Sequence, residues 1–212
     1  MYKLEVDVDG VLLNIDTELE KELHADGYTK FSMENVKTYD FNKSLGNEVF
    51  SLPSLGVLPS TIVTYYRRPS IFENAVEDRE AIEMLCKLGK TGRVEIRLVT
   101  VCFSDEIADI KRKRFSKYFE GIPNISLEAV VGFMTKKESA FQPDGVIEDS
   151  YENLLRFDND VHLYLVNRGY NTLYYNPQIR LLMCRPYFER CKDTAYAIRQ
   201  FCIDFGLSLE EE

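Results

Sequence analysis

The chain has no tryptophan, two histidines and five cysteines with no CxxC pair among them. Each scarcity narrows the chemistry. Cys86, Cys102, Cys184, Cys191 and Cys202 are odd in number and widely spaced, which suits reduced thiols better than a disulfide framework or a thiolate zinc site. No apolar run approaches membrane-spanning length, and the opening MYKLEVDVDGVLLNI is interrupted by acids rather than patterned as a secretory signal. A cytoplasmic protein is the expectation. Positive charge is also in short supply, with 26 Lys and Arg against 35 Asp and Glu and a net charge of -9. That balance argues against a general binder of nucleic-acid backbones, while leaving room for a locally basic cleft.

What is present is a chain of 212 residues, 45% hydrophobic and 29% charged, enough to bury a core as one domain with room for a smaller inserted module. Residues 3–9 read as a strand, yet Asp7 and Asp9 stand where it ends, with Gly10 directly behind. Val and Leu suit the interior of a sheet and two carboxylates do not. In α/β proteins ligands bind at the carboxyl ends of strands, so the pair fits holding a cation or attacking a substrate. A half-exposed edge strand, with Leu4, Val6 and Val8 alternating with Glu5, Asp7 and Asp9, fits the same letters.

Residues 15–78 mix helical patterns such as DTELEKELHADGY with aromatic and turn-rich stretches. That is too long for an ordinary strand-to-helix connection and suggests an inserted cap, the alternative being an irregular layer packed on the core. Beyond Asn74 the pattern becomes regular. AVEDREAIEMLCKLGK places Val76, Ile82, Leu85 and Leu88 on one helical face, with Gly89 as a stop. VEIRLVT reads as a strand. SDEIADIKRKRFSKYF reads as a helix with Ser104 as N-cap, acids in its first turn and the basic run Lys111 to Arg114 late, where a helix favours bases. ISLEAVV, GVIED and VHLYLV are further strands, and AYAIRQFCIDFG is a closing helix. The alternation predicts an α/β fold with a Rossmann-like, mostly parallel sheet, helices on both faces, and a small mainly helical cap after the first strand. The core would comprise residues 1–14 and 79–212, and the cap residues 15–78.

Four positions near strand ends then carry groups useful to one reaction: Asp7 and Asp9, Thr100, Lys136 and Lys137, and Glu148 and Asp149. Each alone has an ordinary structural reading. In their joint order, DVDGV, LVT, KK and VIEDS, the chain resembles the haloacid-dehalogenase-like phosphohydrolases. The resemblance implies a phosphomonoesterase in which Asp7 is the nucleophile, forming an aspartyl-phosphate, and also a ligand of Mg²⁺. It implies Asp9 as general acid and base, with its backbone carbonyl on the metal, and Thr100 as a hydroxyl donor to the phosphoryl group. A lysine supplies positive charge, Lys137 by its spacing to the acidic pair or else Lys136. Asp149 would ligate the metal directly and Glu148 through water. Hard oxygen ligands suit Mg²⁺, and the lack of a His/Cys cluster argues against zinc.

A narrower likeness, to the 5'(3')-deoxyribonucleotidase branch, lies in ENVKTYDF, RRPSIFENA, YENL and NRGYN, where Gly169 stands in place of that branch's proline. It implies a nucleoside monophosphate as substrate. Phe41, Tyr65 and Phe72, with Tyr39 and Tyr66 beside them, become candidates to stack on a base, and Arg67, with Arg68, to neutralise a phosphate. Core packing is the competing use of each ring, since 13 Tyr and 13 Phe must build the interior of a chain without Trp. A sugar-phosphate phosphatase, a polynucleotide-end phosphatase and a non-catalytic binding protein are the alternatives. No membrane partner is expected, and a homodimer is only the default for soluble enzymes.

Overall fold

The computed structural model describes residues 1–36, 64–132, 141–158, 160–171 and 188–209. Lys136, Lys137, Tyr39 and Phe41 lie outside them. Six strands form one sheet: β1 (Tyr2–Asp7), β4 (Val94–Cys102), β5 (Ile125–Val131), β6 (Gly145–Glu148), β7 (His162–Val166) and β8 (Glu189–Cys191). Their order is β5-β4-β1-β6-β7-β8, and every neighbouring pair is parallel. Helices cover both faces of the sheet, so its inner strands are rich in buried apolar residues; Leu4, Val6, Ile96, Leu98, Ile147 and Leu165 are fully buried.

Four longer helices are α1 (Asp16–Ala25), α3 (Arg79–Lys90), α4 (Asp105–Phe119) and α6 (Thr194–Asp204), with short helices α2 (Pro69–Asn74) and α5 (Tyr151–Leu154). Their starts follow capping chemistry. Asp78, Ser104 and Asp193 accept from the backbone N–H three residues on, at 3.0, 3.3 and 2.7 Å. Two expectations for α3 are corrected. Val76 is exposed and lies in the two-residue strand β3 (Val76–Glu77), before the helix begins. Gly89 does not stop the helix but lies inside it, where a Cβ would come within 2.8 Å of the Ile125 side chain, so the glycine permits a close helix-to-sheet approach.

The segment after the first strand is helical in its described parts, through α1, a 3₁₀ turn at Met33–Asn35 and α2. It leaves and re-enters side by side, since β2 (Leu13–Asn14) pairs antiparallel with β3. The return leg is fastened to α4. Arg114 donates to the carbonyls of Phe72, Glu73 and Ala75 at 2.6, 2.9 and 2.6 Å and to Glu77 at 3.0 Å. Lys117 and Tyr118 converge on the same Glu77 carboxylate, and these bonds outweigh its burial to hold it below the usual carboxylate range. The four described cysteines are free thiols, and no described helix is long and apolar enough to cross a membrane.

Candidate active site

Strand order locates the site. The chain runs from β1 outward through β4 to β5, then crosses to β6 and runs outward the other way, so the order reverses between β1 and β6. A crevice opens at such a reversal, beyond the carboxyl ends of the strands. Val6 is level with Ile147, which brings Asp7 and Glu148, one residue further along each strand, to the same height.

Asp7, Glu148 and Asp149 are all buried, at 8, 2 and 3% exposure, and one carboxylate oxygen from each lies within 4.8 Å of the others. Burial, together with the charges of Glu148 and Asp7, pushes the Asp149 carboxyl well above its ordinary range. Glu148 is held by the turn that follows it: its Oε1 accepts from the backbone N–H groups of Asp149 and Ser150, both at 3.1 Å, and its Oε2 from Asn153 at 3.2 Å. The three acids form a hard-oxygen cluster able to chelate a divalent cation, a donor set suited to Mg²⁺.

The turn after β1 is tight. The backbone N–H groups of Leu12 and Leu13 both donate to the Val8 carbonyl, and Gly10 adopts a φ of +77°. Gly10 is required twice over, because a Cβ there would sit 1.9 Å from Asp149 Oδ2 and 2.7 Å from the Tyr170 hydroxyl.

Asp9 faces a different group. Its Oδ2 accepts from Lys111 Nζ at 2.5 Å and from Thr100 Oγ1 at 3.2 Å, while Lys111 Nζ also lies 2.8 Å from Thr100 Oγ1. Asp9 Oδ1 is buried and has no hydrogen-bond partner among the described residues. An acceptor left in that condition fits a site built to receive a further group.

Lys111 is the residue that sequence reasoning missed. It is fully buried, its ammonium sits 4.5 Å above the Phe72 ring, and it lies at the middle of α4 rather than late in it. The signal was available. Lys111 falls four residues after Ile107 and four before Phe115, both fully buried, so it interrupts the apolar stripe of the helix. Its three neighbours in the run behave otherwise: Arg112 and Lys113 are exposed, and Arg114 fastens the return leg.

The aromatic candidates divide. Tyr65 is buried, donates to Asp26 at 2.7 Å, and carries the Arg68 guanidinium 4.1 Å above its ring. Arg68 in turn pairs with Glu22 and Asp26 at 2.6 and 2.5 Å, so both residues bind the insertion to itself. Phe72 is buried beneath Lys111. Neither ring stands open to a base. Arg67 lies with its guanidinium 5.9 Å from the Phe103 ring, just beyond β4. Tyr66 is half-buried, and its hydroxyl is pushed well above the usual phenol range by burial and by the charges of Asp16, Asp149 and Asp9. Among the described aromatics of the insertion, Tyr66 thus feels the charges of Asp9 and Asp149.

No family model matches the chain, and no curated protein matches it. Among solved structures the chain is similar to one named as a haloacid dehalogenase-like hydrolase, from Burkholderia xenovorans LB400, at 12% identity over 93% of this chain and 97% of that one, with a TM-score of 0.46. So distant a likeness assigns no family.

Proposed function

We propose that the chain is a haloacid-dehalogenase-like, magnesium-dependent phosphomonoesterase that acts on nucleoside monophosphates through an aspartyl-phosphate. The observation that carries this reading is the meeting, at the reversal point of a parallel sheet, of two opposed groups: the acids Asp7, Glu148 and Asp149, and the Asp9, Lys111 and Thr100 triad. A bound Mg²⁺, held by Asp7, Asp149 and Glu148, would neutralise the phosphate and draw electron density from phosphorus.

The remaining steps belong to the chain. Lys111 and Thr100 donate to phosphoryl oxygens, the ammonium exchanging Asp9 for substrate as the phosphate enters. An Asp7 oxygen attacks phosphorus, forming the acyl-phosphate bond as the ester P–O bond breaks, and Asp9 delivers a proton to the leaving oxygen. In the second half Asp9 takes a proton from water, the water oxygen bonds to phosphorus, and the Asp7–phosphorus bond breaks. Lys111 fills the role that Lys137 or Lys136 was expected to fill, on the strength of its burial and its contacts. The inserted segment, taken as residues 15–78, covers this chemistry and selects the substrate. The branch-like motifs ENVKTYDF and RRPSIFENA, with Tyr66 in the electrostatic reach of Asp9 and Asp149, support a nucleotide.

The test is phosphate release, with and without Mg²⁺, from deoxyribonucleoside and ribonucleoside 5'- and 3'-monophosphates, sugar phosphates and a phosphorylated oligonucleotide. Magnesium-dependent release, greatest for deoxyribonucleoside monophosphates, is the expected result. A preference for sugar phosphates retains the chemistry and discards the nucleotide, and release from no member of the panel overturns the phosphomonoesterase.

A further inference from the structure

The loop after β7, Arg168 to Asn171, reaches both turns that carry the acids. Arg168 Nε donates to the Gly10 carbonyl at 2.5 Å, on the turn after β1. The Tyr170 hydroxyl donates to Asp149 Oδ2, on the turn after β6. Asn171 Nδ2 donates to the Asp149 carbonyl at 2.8 Å and to the Val166 carbonyl at 2.7 Å, tying that turn back to the end of β7. The loop closes on itself, since the Arg168 N–H donates to Asn171 Oδ1 at 3.0 Å. Tyr170 and Asn171 are 3 and 1% exposed, so water does not compete for these bonds. On its outer side Gly169 packs against the insertion, where a Cβ would meet the Met33 and Val36 carbonyls at 3.2 Å.

A carboxylate beside two others is free to rotate away from them, and repulsion favours that rotation. The bond from Tyr170 to one oxygen and the grip of Asn171 on the backbone remove the freedom, fixing the orientation in which Asp149 meets Asp7 and Glu148. Resting on the metal-binding role given above to the three acids, we propose that Tyr170 is a positioning residue of the metal centre, with Asn171 as its backbone anchor: together they hold Asp149 ready for a divalent cation. Outer partners of this kind set metal affinity because the cation need not then do the work of ordering its own ligands.

The experiment compares the full-length wild-type protein with Tyr170→Phe, which removes only the hydroxyl. Mn²⁺ binding is followed by electron paramagnetic resonance, and Mg²⁺ binding by calorimetry. The dissociation constant is expected to rise about 10- to 100-fold in the variant. The Mg²⁺ concentration for half-maximal phosphate release should rise with it, and raising Mg²⁺ should recover much of the lost rate. A variant that melts earlier still reports, because its metal-induced rise in Tm is read against its own metal-free state. Equal cation affinity in the two proteins overturns the proposal, as does a lower metal-free Tm with unchanged affinity, which marks a packing role. A wild-type protein that takes up neither cation overturns the metal reading along with it, so the two failures are distinguishable.

Discussion

Glu5 and Asp7 stand two residues apart on β1, on the same face of the strand, and both are buried. Their surroundings differ. Glu5 is level with Arg97 on β4, and the two pair at 2.5 Å; the second arm of Arg97 reaches Glu128 at 3.1 Å, and its guanidinium lies 4.3 Å from the Phe141 ring. Asp7 is level with Val99 and meets two more acids instead, Glu148 and Asp149. Within the sheet the chain closes a buried carboxylate with its own cation. At the strand end it assembles carboxylates together, an arrangement that folding alone disfavours and that a bound cation relieves. The adjacent positions show that burial of an acid is not in itself the mark of a site; the company the acid keeps is.

Substitutions at these positions test the contrast. The largest effect is expected from Asp7→Asn, which should lower turnover by at least about four orders of magnitude. The metal-free variant should melt no earlier than the wild type, since one of three clustered carboxyl groups that oppose one another's ionisation is gone. Near-wild-type turnover in steady-state assays would sink the nucleophile assignment. Arg97→Met reverses the pattern. It strands Glu5 in the sheet and should cost about 3–5 kcal/mol in urea unfolding, with turnover per folded molecule kept. An undiminished stability would show that the interior pair is not the closed unit described. Lys111→Met, close in length to the lysine, should lower kcat/KM about 10²- to 10³-fold, as expected for loss of a preorganised donor. Unchanged kcat/KM would return the compensating charge to another residue.

Much of the fold was legible because parallel strands are written as apolar-rich runs: VEIRLVT and VHLYLV mark largely buried strands, and ISLEAVV the half-buried edge strand β5. The three-residue β8, ERC, carries no such run and depends on its neighbour β7 for its existence. Within the site, Asp7, Asp9, Thr100, Glu148 and Asp149 were legible as polar groups at strand ends. Lys111 was not, because a basic run in a helix with an acidic first turn already has a sufficient local explanation in the helix dipole. Only the register of Ile107, Lys111 and Phe115 along one stripe separates it from its neighbours. The packing of Tyr65 and Phe72 was not legible for the opposite reason. Aromatic composition reports how much ring surface there is to bury, not which ring is left open, and tertiary contacts with Arg68 and Lys111 decided that.

The grip of Arg114 makes α4 a shared beam. Three residues along it from the bolt that holds the insertion's return leg stands Lys111, with its ammonium on Asp9. A hinge at residues 75–78 would have to tear out that bolt. The return leg of the insertion and the ammonium beside Asp9 therefore ride on one helix, so that a tilt of α4 would displace both together.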